Sequence, residues 1–263
     1  MTPVYIIGES ARLKLDRAEE HIKALEREVG EFFDTQPYST DTEFESDGTE
    51  FVIKARLIQR PPKRLGLLIG DAIHNLRGCL DHLVFELAGR PTDEAIAPHI
   101  EFPIFVDRTK YKFGHEKRLC GVPDDAKAII ERLQPYHRRD LPNPPPGLIH
   151  PLEVVYQLSN FDKHREVQIA GLAFLHTEVW SSEPMIERTF RYGPFEDGAE
   201  IARFKFSTRK VEVKTGFTFS VTVELVDPKG TIDIQETLYG IMDFIRHEVL
   251  PPLSEPRFYT DKG

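Results

Sequence analysis

The spacing of the apolar residues changes near residue 167, and this change limits the folds that the chain can adopt. Before this point, apolar residues recur every three or four positions, as they do in amphipathic helices. After it they alternate with polar residues, as Phe217, Phe219 and Val221 do, which is typical of antiparallel strands with one face in water. The predicted order is helix, hairpin, helices, sheet and final helix. Because strands and helices are grouped instead of alternating one by one, the sequence predicts an α+β fold.

The predicted architecture is a helical bundle core with an N-terminal β-hairpin, a C-terminal antiparallel sheet and a final helix. Asp47-Gly48 is a strong two-residue turn signal and defines the hairpin over residues 39–58. We expect residues 1–166 to form the helical region with the hairpin inserted in it, and residues 167–263 to form the sheet with the last helix packed on it, in one compact unit. Residues 91–122 are predicted to be irregular. Helices are predicted over 10–33 and 65–88, from Asp124 to Leu133, from Leu152 to Lys163, and from Ile234 to Val249.

Composition and charge exclude several classes of protein. The 263 residues have a formal net charge of −9, which argues against a DNA coat protein and against a surface that binds anionic lipid. Two cysteines cannot form a disulfide scaffold or a four-cysteine zinc site. No apolar run approaches the ~20 residues of a membrane span, and the first ten residues lack the basic start of a signal peptide. We therefore expect a cytoplasmic protein with no membrane partner, which could still meet RNA through a local basic site.

The helix predicted over residues 65–88 carries an unusual polar stripe opposite its apolar face. Solvated helix faces are usually built from Lys, Glu, Arg and Gln, which favour both helix and water. This stripe contains none of them and uses shorter side chains that are capable of acid, base and metal-ligand chemistry. It indicates either a functional site or a helix buried on both faces, with its polar groups in structural hydrogen bonds. The members of the stripe are Asp71, His74, Asn75, Gly78, Asp81, His82 and Phe85.

A second polar cluster lies at the end of the helix predicted from residue 152. Asp162 continues the apolar face of that helix, so we expect its carboxylate to point inward. A buried carboxylate needs a cationic or hydrogen-bond-donating partner, and Arg77 and the two histidines of the polar stripe are the candidates. The cluster, which also contains His164 and Arg165, is either part of a site or a structural Asp–Arg pair between two helices.

Several stretches of the chain resemble a widespread bacterial protein family, over most of residues 10–170. They are GDAIHNLRGCLDHLVFELA (70–88), FPIF (102–105), LQPY (133–136) and LSNFDKHR (158–165). Within the first of them, Arg77 and His82 form an R-x4-H motif, which is similar to the R-x4-6-H signature of HEPN ribonucleases. That resemblance implies a small helical bundle in which the motif residues of two protomers form a metal-independent ribonuclease site. Gly78 stands where such motifs usually carry a polar residue.

The resemblance implies a role for each motif residue. Arg77 would stabilise the negative charge of a phosphorane-like transition state, and His82 would act as general acid or base on the 2′-hydroxyl or the 5′-oxygen. Imidazole suits this task because it titrates near neutral pH. We accordingly predict RNA as a partner, no cofactor, and Arg77, His82, Asp81 and His74 as catalytic residues. The predicted supporting residues are Asp71, Asn75, Asp162, His164 and Arg165.

Two other functions remain open from the sequence. Asp71 and His74 are three residues apart on one helix and could reach one metal ion, with Asp162 or His164 as a third ligand, as in a metal-dependent hydrolase. Alternatively, the chain is a non-enzymatic protein that binds a ligand or a partner. The narrow apolar seam of helix 10–33 is compatible with a homodimer and with packing inside the chain. The leading hypothesis is a HEPN-like, metal-independent endoribonuclease that acts as a toxin or defence effector.

Overall fold

A computed structural model describes residues 7–45, 47–141, 149–164, 169–191, 194–209, 211–226 and 229–258. For residues 161–164, 170, 172–177 and 229 it describes the backbone alone. The predicted fold class is confirmed, because the chain is α+β with two antiparallel sheets. None of the helices in these ranges combines the length and the apolar character that a membrane span requires.

The elements follow the predicted order along most of the chain. The first helix, the hairpin and the second long helix begin and end within one residue of their predicted bounds. The helices are α1 (Glu9–Asp34), α2 (Arg64–Leu87), α3 (Arg108–Arg118), α4 (Asp124–Arg132), α5 (Tyr136–Arg139), α6 (Pro151–His164), α7 (Ile234–Phe244), continued by a π-helical segment (Ile245–Val249), and α8 (Leu250–Leu253). The strands are β1 (Tyr38–Phe44), β2 (Glu50–Leu57), β3 (Ile169–Ser181), β4 (Met185–Phe190), β5 (Glu200–Phe206), β6 (Val213–Val226) and β7 (Lys229–Asp233).

The chain forms two compact units, of which the first is helical. This unit contains Met1–Ala24, Leu68–Val167 and Glu236–Gly263. Its core includes the predicted apolar face of α2 and the parts of the apolar faces of α1 and α7 that belong to this unit. The other apolar-face residues of α1, which are Leu25, Val29 and Phe32, are also buried. The apolar seam of α1 is therefore covered within the chain, and a homodimer would need a different surface.

The second unit, Leu25–Leu67 and Gln168–Gln235, contains both sheets. The strand order is β1-β2-β5-β4 in one sheet and β3-β6-β7 in the other, and all neighbours are antiparallel. In β5 the alternating residues Ala202, Phe204 and Phe206 are buried, as the period-two pattern predicts. Each unit combines segments that are far apart in the chain, and the pairing of β2 with β5 is one example. The hairpin therefore belongs with the sheets, and the last helix belongs with the other helices.

The prediction that residues 91–122 are irregular is wrong for their second half, where α3 forms. Asp107 begins this helix as its N-cap, and its side chain accepts hydrogen bonds from two backbone N–H groups of the first turn. Tyr111 is the buried residue of the helix, so α3 has no apolar period that the sequence pattern could display. The available signal was an Asp before a run of polar residues.

Candidate functional site

Helices α1 and α2 lie antiparallel, because residues early in α1 contact residues late in α2 and the reverse. On ideal helices the residues of this contact fall within about 80° on α2 and about 40° on α1, so they form one partly exposed row. We call this row the α1–α2 seam. It consists of Ser10, Lys14 and His21 from α1, and of Asp71, His74, Gly78 and His82 from α2.

His82 is exposed, and a chain of hydrogen bonds orients its imidazole ring. Its Nδ1 lies 3.2 Å from Ser10 Oγ, and that hydroxyl donates to Glu86 Oε1 at 2.6 Å. Because the hydroxyl proton is directed at Glu86, the Ser10 oxygen is the acceptor for His82 Nδ1–H. In the neutral ring Nε2 then keeps its lone pair and can accept a proton.

Glu86 is the buried end of this chain, with a side chain that is 3% exposed. Its carboxylate also accepts hydrogen bonds from the backbone N–H groups of Gly8 and Ser10 and pairs with Arg90 at 3.1 Å. A carboxylate suits this position because the first N–H groups of α1 have no intrahelical partner and carry partial positive charge. Sequence reasoning missed Glu86 and Ser10. The available signal was an acidic residue three positions after the buried Leu83, at the edge of an apolar face.

The side chain of Lys14 lies over Gly78, in the middle of the seam. A Cβ atom on Gly78 would lie 3.5 Å from Lys14 Cδ and 3.9 Å from Nζ. His74 and His82 are exposed and lie four residues, about one turn, on either side of Gly78. Within the described residues Lys14 forms no ion pair. The seam thus places a cationic group between two imidazoles. The ammonium-bearing side chain can lie close to α2 at this point because Gly78 has no side chain.

Arg77 and Asp81 form an ion pair that holds the backbone of Phe102. Arg77 Nη2 donates to the Phe102 carbonyl oxygen at 2.9 Å, and the Phe102 N–H donates to Asp81 Oδ1 at 2.9 Å. The two side chains are joined by Nε–Oδ2 and Nη2–Oδ1 contacts of 3.0 and 2.8 Å. Together they satisfy both polar backbone groups of one residue, as a neighbouring strand would.

Burial raises the pKa of Asp81, although the Arg77 guanidinium and the Phe102 N–H act in the opposite direction. Desolvation of the carboxylate therefore outweighs the attraction of its partners. A pair of this kind contributes little net electrostatic stability while intact, and its loss leaves unpaired polar groups. The contacts of Asp81 are with Arg77 and Phe102, so its carboxylate has a structural task in this geometry.

Two further side chains, those of Glu101 and Gln134, fix the segment that contains the FPIF motif. Glu101 pairs with Arg77 of α2 at 3.4 Å and with Arg118 of α3 at 2.5 Å. The side-chain oxygen of Gln134, which follows α4, accepts a hydrogen bond from the Phe105 N–H at 3.0 Å. The segment is therefore attached to α2, to α3 and to the end of α4.

The structure does not bring the two residues of the R-x4-H motif together. Arg77 contacts the segment around Phe102, whereas His82 contacts the first turn of α1. Asp162 and His164 belong to α6, but their side chains lie outside the described residues, as does the whole of Arg165. The predicted partner of Asp162 stays a prediction.

The polar stripe also contains residues with local roles. Asn75 is buried, and its Nδ2 donates to the Asp71 carbonyl oxygen at 2.8 Å, which is a structural hydrogen bond within α2. The exposed Asp71 carboxylate lies 3.9 Å from the His21 imidazole, a residue that sequence reasoning did not single out. Across the described side chains, no three His, Cys, Asp or Glu groups converge on a position that could hold a metal ion. Asp71 and His74 therefore lack a third ligand in that part of the chain.

The apolar face of α2 is buried as predicted, and Cys79 is buried with it. Burial raises the pKa of the Cys79 thiol to about 12. Since the thiolate is the reactive form of cysteine, Cys79 packs in the core and is not a nucleophile at neutral pH.

Gly78→Ala is expected to stabilise the protein by about 0.5–1 kcal/mol, because Ala favours the interior of a helix over Gly. The added methyl group would meet Lys14 at 3.5 Å, an ordinary van der Waals distance. The matched control is Gly30→Ala in α1, where nothing lies within 4 Å of an added Cβ. Urea unfolding followed by circular dichroism measures both variants. A loss of stability in Gly78→Ala alone would contradict the described packing of Lys14.

The α1–α2 seam offers one ammonium group, two exposed imidazoles and one exposed carboxylate in a single row. Such a row can hold an anion against the ammonium group and can transfer protons on either side of it. No family model, no curated protein and no solved structure matches this chain.

Proposed function

We propose that the chain is a metal-independent endoribonuclease that acts at the α1–α2 seam. The observation that carries this proposal is the position of Lys14 over Gly78, between the exposed imidazoles of His74 and His82. An ammonium group binds phosphate as a point charge, and an imidazole can accept or donate a proton near neutral pH. Cleavage of RNA without a metal ion needs a proton acceptor, a proton donor and a group that stabilises the charge on the phosphate, and these three side chains can supply them.

In the proposed reaction His82 is the general base, because its hydrogen bond with Ser10 leaves Nε2 able to accept a proton. Nε2 takes the proton of a ribose 2′-hydroxyl, and the 2′-oxygen attacks the adjacent phosphorus. The bond from phosphorus to the 5′-oxygen breaks, and His74 donates a proton to that oxygen. Lys14 stabilises the negative charge that develops on the non-bridging oxygens. The products are a 2′,3′-cyclic phosphate and a 5′-hydroxyl.

This proposal changes the role that the resemblance to HEPN ribonucleases implies for Arg77. The Arg77 side chain is 12% exposed and donates to Asp81 and to the Phe102 carbonyl. We assign Lys14 as the cation that meets the reacting phosphate. Arg77 and Asp81 are assigned to holding the Phe102 segment against α2.

The test is cleavage of a mixed pool of single-stranded RNA by the purified chain, with and without EDTA. We expect cleavage that EDTA does not inhibit, and 2′,3′-cyclic phosphate ends identified by mass spectrometry. The rate should follow a bell-shaped pH profile, because one imidazole must be neutral and the other protonated. A DNA pool, which lacks the 2′-hydroxyl, is the negative control.

Each contrary result has a definite meaning. Cleavage that EDTA abolishes would overturn the proposal in favour of a metal-dependent hydrolase that uses Asp71 and His74. Cleavage of the DNA pool would exclude attack by the 2′-oxygen. Binding of RNA without cleavage would leave a non-enzymatic RNA-binding protein.

A further inference from the structure

Helix α3 is a basic segment in an acidic chain. Its 11 residues, RTKYKFGHEKR, include five Lys and Arg residues and one Glu, whereas the whole chain has a formal net charge of −9. Phe113 on this helix is 86% exposed, the highest value among the exposed large apolar side chains of the described residues. A large aromatic ring in water among cationic groups is not explained by folding.

Phe113 and two of the lysines share one face of α3. Lys110, Phe113 and Lys117 fall within about 60° on an ideal helix, so Phe113 lies about one turn from an ammonium-bearing residue on either side. Lys112 is exposed next to Phe113. In the part of the chain that the structure describes, none of the three lysines forms an ion pair. Lys110 interacts electrostatically with the Asp107 carboxylate, and the one acidic residue of the helix, Glu116, is also exposed. All three lysines are exposed, so an anion from outside can reach them.

The opposite face of α3 anchors the helix. The buried Tyr111 ring stacks on His115, with centroids 4.5 Å apart, and Phe105 packs edge-on against Tyr111 at 5.8 Å. Gly114 leaves space for the Phe105 ring, because an added Cβ would lie 2.6 Å from Phe105 Cζ. The guanidinium of Arg118 lies 4.9 Å above the same ring. This packing fixes α3 without involving Phe113, so the exposed face of the helix makes no contribution to the packing.

From this arrangement we infer that the exposed face of α3, formed by Lys110, Phe113 and Lys117 with Lys112 beside it, binds single-stranded RNA. Phe113 provides a flat apolar surface on which a base stacks, and the lysines neutralise neighbouring phosphates. This inference rests on the proposed function and gives the substrate a second contact surface beyond the reacting phosphodiester. The α1–α2 seam and the exposed face of α3 both belong to the helical unit. Glu101 links the two helices α2 and α3, because it pairs with Arg77 of the first and Arg118 of the second.

The composition of this face favours RNA over a membrane or a protein partner. A membrane-surface helix has a wide apolar face, whereas α3 exposes one large apolar side chain. Protein interfaces are depleted of lysine at their centre, whereas here lysines flank the aromatic ring on the same face. An aromatic ring between cationic groups matches the alternation of bases and phosphates along a single strand.

The test uses a fluorescein-labelled 12-nucleotide 2′-O-methyl oligouridylate, whose binding to the full chain is measured by fluorescence anisotropy. Attack by a 2′-oxygen cannot cleave this probe, so binding is measured separately from activity. We expect Phe113→Ala to weaken binding about 5- to 100-fold, through the loss of one stacked base. The double variant Lys110→Ala/Lys117→Ala should reduce the slope of log affinity against log salt concentration by about 1.4, because each phosphate contact to a single strand contributes about 0.7.

Ile186→Ala and Lys63→Ala are the matched controls, since Ile186 is 63% exposed and Lys63 is an exposed lysine outside α3. Both should bind the probe as the unsubstituted chain does. Equal binding by Phe113→Ala and Ile186→Ala would overturn the inference, and so would binding to phosphatidylserine vesicles in place of the probe. If the probe binds through α3 while the RNA pool stays intact, the inference holds and the proposed function fails. If RNA is cleaved but the Phe113→Ala substitution does not weaken binding of the probe, the proposed function holds and the inference fails.

Discussion

His82→Ala is expected to lower the rate of RNA cleavage by about 10²- to 10⁴-fold, the usual contribution of a positioned general base. The loss should appear in kcat with little change in KM, because the substitution leaves Lys14, the proposed phosphate-binding group, unchanged. His82 is exposed, and its described side-chain contact is with Ser10, so the free energy of unfolding should change by less than about 0.5 kcal/mol. Initial rates on a labelled oligoribonucleotide and a urea unfolding curve provide the two measurements.

His247→Ala is the matched control for this variant. His247 is also an exposed helical histidine, and its Nδ1 contacts the Asp243 carbonyl oxygen of its own helix at 3.0 Å. It lies outside the α1–α2 seam, so its replacement should leave cleavage unchanged. If the rate for His82→Ala were within about threefold of the rate for His247→Ala, His82 would not be the general base.

The fold could be predicted where the deciding information is local. The apolar periods of α1 and α2 fixed the bounds of both helices to within one residue, because each period records which face is buried. Helix α3 was missed because its burial rests on Tyr111 and on packing with Phe105, which lies outside the helix. The pairing of β2 with β5 was missed because period two identifies a strand without identifying its neighbour.

The candidate site shows the same division between local and distant information. His74 and His82 stood out because a solvated helix face seldom uses such residues. Lys14 did not stand out, since a lysine on an amphipathic helix is usually only a solvated charge. Its position over Gly78 depends on the register between α1 and α2, which no single helix encodes. Glu86 was missed for a similar reason, because its partners lie 76 and 78 positions away in the chain.

Arg77→Ala and Asp81→Ala are each expected to destabilise the protein by about 3 kcal/mol. The first leaves the Asp81 carboxylate without its cation and the Phe102 carbonyl without this donor. The second leaves the Arg77 guanidinium without its closest carboxylate and the Phe102 N–H without this acceptor. Asp81 is 30% exposed, which places the expected loss at the lower end of the range for a buried pair. Equilibrium urea unfolding measures both losses.

The double variant Arg77→Ala/Asp81→Ala separates coupling from simple loss of contacts. The double variant leaves neither charge unpaired. Its loss in free energy of unfolding should therefore be smaller, by about 1–3 kcal/mol, than the sum of the losses in the two single variants. The surface pair of Arg17 and Glu20, whose side chains are 59% and 63% exposed, is the control, and Arg17→Ala should cost less than about 1 kcal/mol. Additive losses in the cycle would mean that the two side chains support Phe102 independently. In that case the pairing of their charges would not be what holds the FPIF segment against α2.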